Sequence, residues 1–107
     1  SGNCMDHEIN ETVLVPRKKA KERFRSSIHN AWGWCCAYCG RELSERDATL
    51  DHVNAKATGG LTVRENLVSC CLGCNSSKGH QVWHEWYQRQ DFYDIYRERW
   101  IEEWVEQ

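Results

Sequence analysis

The sequence predicts a small α+β domain in which two short strands and a short helix are held together by paired cysteines, with a basic helix before them and aromatic-rich helices after them. Three observations carry this expectation. Cys36-Ala37-Tyr38-Cys39 and Cys71-Leu72-Gly73-Cys74 are two Cys-x-x-Cys pairs. Each puts two thiols across a tight turn, so four thiolates can meet one Zn²⁺ at about 2.3 Å in tetrahedral geometry. Between the pairs, Thr49 to Val53 and Asn66 to Cys70 read as strands around a loop from Asn54 to Arg64, with Gly59-Gly60 at its tip. Outside them the apolar residues recur at helical spacing. A closed four-cysteine site has no open coordination position, so it acts as a staple and the chemistry lies in what it encloses.

Composition agrees with one domain over residues 1–107. A chain of 107 residues sits near the small end of independently folding units, where a structural metal supplements a limited core. No apolar run approaches the roughly 20 residues of a membrane span, so no membrane partner is expected. The start, Ser1-Gly2-Asn3, reads as a remnant of cloning rather than a signal peptide. The seven cysteines are odd in number, which favours a reducing cytosol with zinc over a secreted disulfide scaffold. Cys35 and Cys70 are rival ligands in principle, but Cys-x₂-Cys is the usual zinc bite, so they are expected to be free thiols together with Cys4.

The net charge of −2 hides a segregation. Residues 1–16 carry three acids and no Lys or Arg, residues 17–80 carry 11 basic against 6 acidic side chains, and residues 81–107 carry 3 against 7. A basic middle between acidic ends suits a protein that meets a polyanion with one face.

Taken in order, residues 1–15 are expected as a loose N-terminal segment, with Thr12-Val13-Leu14-Val15 as a short extended stretch closed by Pro16. Ala20, Phe24, Ile28 and Trp32 then recur every four residues, predicting an amphipathic helix that stops near Gly33. Its other faces carry Arg17, Lys18, Lys19, Lys21, Arg23 and Arg25 against a single Glu22. A charged run on a helix is commonly only its solvated face; here it is also a candidate for phosphate contact, which positions a duplex without reading its sequence. Cys36 to Gly40 forms the first knuckle, with Gly40 supplying the turn. Arg41 to Ala48 is charged and irregular, and Asn75 to Lys78 opens the short helix. Residues 81–107 read as two helical pieces, with Asp91 capping the second. Trp83, Trp86 and Tyr87 belong to the first piece, and Phe92, Ile95, Tyr96, Trp100, Ile101 and Trp104 to the second. This aromatic stripe is expected to pack against the first helix and the zinc module, with self-association or base stacking as the lesser reading.

The enclosed stretch reads Thr49-Leu50-Asp51-His52-Val53, Gly59-Gly60, Glu65-Asn66-Leu67-Val68 and Cys74-Asn75-Ser76-Ser77-Lys78. With the cysteine pairs around it, it resembles the zinc-stapled branch of the HNH endonucleases, nucleases with a ββα-metal core, over about 43 of the 107 residues, Cys36 to Lys78. Each element alone is common; their order together is specific.

Hydrolysing a phosphodiester needs an activated water, a cation at the developing charge and a frame that keeps both in register. His52 suits the general base, because an imidazole can take a proton from water near neutral pH. Asp51 offers a hard carboxylate oxygen to a divalent metal and Asn75 a neutral amide oxygen. The resemblance implies the same roles by position: Asp51 and Asn75 on a catalytic Mg²⁺ or Mn²⁺, His52 activating water, and Asn66 steadying the loop and the histidine. Asn75 stands where His is the commoner residue. Because neighbouring strand residues face opposite sides, the strand is expected to break at Asp51-His52. Lys56, Arg64 and Lys78 are further candidates for phosphate contact.

The resemblance further implies double-stranded DNA as substrate, 5′-phosphate and 3′-hydroxyl products, and one strand cut per protomer. The bacterial or phage-infected cytoplasm is the expected location, in a phage-type, homing or restriction setting, alone, as a homodimer or in a larger assembly. Two other readings stay open: a non-catalytic zinc-stapled DNA-binding or scaffold module, and a zinc-ribbon interaction domain. His80 and His84 could join Cys71 and Cys74 on zinc, but only five residues separate Cys74 from His80, against about twelve in a zinc finger.

Overall fold

Neither strand is rich in β-branched residues, so their pairing rests on burial more than on intrinsic preference: Ala48–His52 (β1) pairs antiparallel with Leu67–Cys71 (β2) in a two-stranded sheet. The computed structural model describes residues 16–107; the expected loose segment 1–15, with its Thr12–Val15 stretch and Cys4, lies outside the described residues. The register sets Ala48 opposite Cys71, Leu50 opposite Ser69 and His52 opposite Leu67. Both strands lie within one residue of their expected positions. The expected break at Asp51-His52 does not occur: Asp51 pairs with Val68 and His52 with Leu67, and the ladder ends only after His52.

Among the described residues, four α-helices surround this sheet: α1 (Arg17–Ala31), α2 (Leu72–Lys78), α3 (Trp83–Gln88) and α4 (Ile95–Val105). Every residue of β2 is buried, since the strand is covered from both sides. Helix α1 reaches it through His29, whose Nδ1 lies 2.7 Å from Ser69 Oγ and whose ring stacks on Trp34. Helix α2 follows directly from β2. It begins at Leu72 rather than Asn75, because the Cys71 side chain accepts a hydrogen bond from the Cys74 N–H and so caps the helix with sulfur. The second cysteine of that pair is therefore already helical.

The core is aromatic. Tyr38, between the cysteines of the first pair, is fully buried with its ring edge-on to Trp86 (centroids 5.0 Å, 87°) and to Tyr87. Tyr87 donates its hydroxyl to the Tyr38 carbonyl at 2.7 Å, and Trp86 donates Nε1–H to Ser77 Oγ at 3.0 Å, so α3 locks the first cysteine pair to α2. Helix α4 is fastened by Trp104, whose Nε1–H is shared between the Arg64 and Leu67 carbonyls. Its cap is Asp94, accepting from the Tyr96 N–H at 2.8 Å, and not Asp91.

Two expectations about faces need correction. Along α1 only Ile28 and His29 are buried, while Ala20 is exposed, Phe24 is 41% exposed and Trp32 lies past the helix end; the helix meets the rest of the fold from Arg25 onward, and the basic residues before Phe24 stand clear. The aromatic stripe likewise divides, with Trp83, Trp86, Tyr87 and Ile101 inside and Ile95, Tyr96 and Trp100 largely outside. Among the described residues no helix is long and apolar enough to cross a membrane.

Replacing a buried tryptophan by alanine removes both its transfer energy and its contacts. We expect Trp86→Ala to cost about 3–5 kcal/mol and to lower the melting temperature by at least about 12 °C, and Tyr96→Ala to change stability by no more than about 0.5 kcal/mol, both read by calorimetry. His29 is fully buried, and burial, then the Arg25 charge, hold its pKa below the ordinary imidazole value. The unfolded chain therefore takes up this proton first as pH falls, so this contribution to stability is complete above about pH 6.5 and is lost below it. Melting curves from pH 7.5 to 5.5 should fall less steeply in His29→Gln than in the parent chain.

Candidate active site

Four sulfurs form the frame. Cys36, Cys39, Cys71 and Cys74 are the described residues whose ligand atoms all lie within 4.8 Å of one another. The Cys39–Cys71 Sγ separation is 3.9 Å, close to the edge of about 3.8 Å that a tetrahedron with 2.3 Å metal–sulfur bonds requires. This set fits a metal ion and uses both expected pairs. Cys70 stands outside it, donating to the Cys71 carbonyl at 3.3 Å, and Cys35 lies near the Gly33 carbonyl. Gly40 closes the first turn at φ +81°, where a side chain would meet the Arg97 guanidinium at 2.6 Å.

From this frame Tyr38 reaches the carboxylate. Its hydroxyl donates to Asp51 Oδ2 at 2.6 Å, and Lys78 Nζ approaches the same oxygen at 3.1 Å and Oδ1 at 3.4 Å. Asp51 is 4% exposed and Lys78 is fully buried. Burial raises the Asp51 pKa above the ordinary carboxylate value, and the Lys78 charge and the Tyr38 hydrogen bond oppose that rise without cancelling it. Tyr38 itself is pushed well above the ordinary phenol value by burial and by the Asp51 charge, so it stays a donor. Lys78 also donates to the His52 carbonyl at 2.8 Å, tying α2 across the end of β1. It is thus no surface cation, contrary to its place among the expected phosphate contacts.

Asn75 commits both amide hydrogens to β1, donating to Thr49 Oγ1 at 3.0 Å and to the Leu50 carbonyl at 3.4 Å. Its amide oxygen takes part in no hydrogen bond among the described residues. His52 is half-buried, with Nε2 at 2.8 Å from Thr62 Oγ1. Asp51, His52 and Asn75 all border one cleft of about 170 Å³, together with the exposed Lys56 and His80. Although β1 alternates its faces, the chain turns away directly after His52, and residues 55–57 close the far wall.

Asn66 braces that wall. Its Nδ2 donates to the Asn54 carbonyl at 3.0 Å and the Leu61 carbonyl at 2.8 Å, while its Oδ1 accepts from the Asn54 N–H at 2.9 Å. Gly60 is needed here because a Cβ would sit 1.7 Å from the Asn54 oxygen. The remaining expected phosphate contacts divide. Arg25 donates to the Ala48 carbonyl, and Arg64 bonds Ser27 Oγ and lies over the Trp104 ring, so both also tie parts of the fold together. Arg17, Lys18, Lys19, Lys21, Arg23 and Lys56 are exposed. His84 pairs with Glu102 at 3.0 Å, not with the cysteines. Tyr38 and Thr62 were missed. Tyr38 carried one signal, its place between two ligand cysteines; Thr62, in an exposed loop, carried none.

Comparison with known proteins addresses the family and the fold. A family model described as HNH endonuclease matches residues 36–89. The chain is 42% identical over 52 residues to a CRISPR-associated endonuclease Cas9 from Corynebacterium diphtheriae and 36% identical over 58 residues to one from Actinomyces naeslundii. These matches cover 48% and 53% of the chain but 5% of each relative, so the chain spans a small fraction of their length. The crystal structure of the Type II-C Cas9 enzyme from Actinomyces naeslundii superposes on 82% of the chain and 11% of its own length, with a TM-score of 0.59 and 25% identity. The family model takes in just over half of the chain, from the first cysteine pair through the cleft to α3, and the chain belongs to the HNH endonuclease family.

Proposed function

We propose that the chain hydrolyses phosphodiester bonds in double-stranded DNA, with His52 as general base and Asp51 and Asn75 as ligands of one divalent cation, Mg²⁺ or Mn²⁺. The observation that carries this reading is the convergence of these three side chains on one cleft. The oxygen donors suit a hard cation: Asp51 Oδ1 has only a long contact to Lys78 at 3.4 Å, and Asn75 has its amide oxygen uncommitted, so few protein ligands leave room for water and phosphate. A cation bound there supplies Lewis-acid polarisation of the phosphate and neutralises charge on the leaving oxygen.

The protein's own groups do the rest. His52 takes the proton from the attacking water. Lys78 and Tyr38 hold the Asp51 carboxylate in one orientation, and Asn66 keeps the loop wall from collapsing onto the cleft. Attack by water with departure of the 3′ oxygen leaves 5′-phosphate and 3′-hydroxyl ends. One such cleft among the described residues gives one strand cut per protomer, so nicking is the expected primary product. The four cysteines are proposed to hold zinc, and the exposed cations of α1 with Lys56 to meet the DNA backbone, which makes binding weaken with salt.

On supercoiled plasmid with Mg²⁺ or Mn²⁺ we expect nicked circles first, and a loss of at least about 100-fold in His52→Ala. Equal cutting by His52→Ala would rule out this base. A non-catalytic DNA-binding module would instead retain DNA without cutting it and be indifferent to Asp51→Ala and Asn75→Ala. Tyr38→Phe leaves a buried carboxylate short of a donor; we expect it to cost about 1–3 kcal/mol of stability and to slow cutting, with zinc content by elemental analysis unchanged.

A further inference from the structure

His52 has two ring nitrogens, and one is already engaged: Nε2 lies 2.8 Å from the Thr62 hydroxyl. The other ring nitrogen, Nδ1, has no hydrogen-bond partner among the described residues, and His52 lines the cleft. A neutral imidazole carries one proton, and the partner of one nitrogen decides which tautomer serves at the other. If Nε2–H donates to Thr62 Oγ1, then Nδ1 keeps its lone pair and can accept a proton from water.

Thr62 belongs to the loop that Asn66 fastens. Leu61, its neighbour, gives its carbonyl to Asn66 Nδ2 at 2.8 Å, and Asn54 at the loop's start is held by the same side chain at both its N–H and carbonyl. The Gly60 N–H closes the turn onto the Ala55 carbonyl at 2.9 Å. The hydroxyl is thereby carried on a braced segment although Thr62 itself is exposed. The opposite side of His52 is anchored through its own carbonyl to the buried Lys78. The backbone and the ring tip of the histidine are thus held from two different elements.

We propose that Thr62 is a positioning residue for the general base: its hydroxyl accepts the Nε2–H of His52, fixing the ring and the tautomer so that Nδ1 is the nitrogen that takes the proton from water. This rests on the reading of His52 as the base. It also supplies the physical link by which Asn66, which touches no ring atom of His52, governs the histidine: through the loop to Thr62, and through Thr62 to the imidazole.

The test compares Thr62→Val, which keeps the shape and removes the hydroxyl, with Thr62→Ser, which restores it. Plasmid nicking should show kcat reduced about tenfold in Thr62→Val with KM unchanged, and recovered in Thr62→Ser to within about twofold. Nitrogen-15 NMR of the histidine rings at pH 8, with the His52 signals assigned by their loss in His52→Asn, should place the proton on Nε2. That proton should exchange with water more slowly in the parent chain than in Thr62→Val. A proton on Nδ1, or identical exchange and kcat in Thr62→Val and the parent, would overturn the proposal. Should the parent chain cut no DNA, the NMR arm still decides whether Thr62 holds the ring, so the two ideas fail separately.

Discussion

A carboxylate taken out of water must be given partners or be neutralised, and Asp51, at 4% exposure, is given two. One is the Tyr38 hydroxyl, carried by the turn between the first two cysteines; the other is the Lys78 ammonium, carried by the last turn of α2. Knuckle, strand and helix therefore meet at a single group. Moving any one of them leaves either a buried charge uncompensated or a donor unused, and breaking such a pair is costly. This is why the cleft and the four-sulfur cluster are best regarded as one construction.

The cluster's role follows from scale. A two-stranded sheet with helices this short buries little on its own, and isolated hairpins are marginal in water. Four cysteines drawn from a loop, a strand end and a helix close the chain over the ladder, and Trp86 and Tyr87 pack against the first knuckle from outside. The rigidity reaches the chemistry by two routes. Tyr38 transmits it to the Asp51 carboxylate, and Asn66 transmits it along the loop. The basic half of α1 takes no part in this packing, which leaves its cations free to meet a polyanion.

Much of this was legible in the residues, and what was not has identifiable causes. The cysteine pairs announced themselves by spacing, and the strands by their place between those pairs, so both fell into place within a residue. The start of α2 was misjudged because its cap is a thiol, Cys71, and sulfur is not among the side chains that normally mark a helix start. Asp91 and Asp94 are equally good caps on paper; only the position of Tyr96 N–H selects Asp94. The periodicity of α1 reveals a stripe but not whether anything lies opposite it, and Phe24 on that stripe is 41% exposed. Lys78 is the sharpest case. A lysine after a nuclease motif reads as a phosphate contact, and its burial depends on a carboxylate 27 residues away that only the folded chain brings near.

The central claim is that two distinct metal sites share this small frame, one of sulfur and one of oxygen. Crystals grown with Mn²⁺, with diffraction recorded on both sides of the zinc and manganese absorption edges, locate each element directly. The expected result is a zinc peak inside the Cys36, Cys39, Cys71 and Cys74 cluster and a manganese peak in the cleft between the Asp51 and Asn75 oxygens. Manganese elsewhere than between those oxygens, or zinc held by a set that includes His80 or His84, would contradict it.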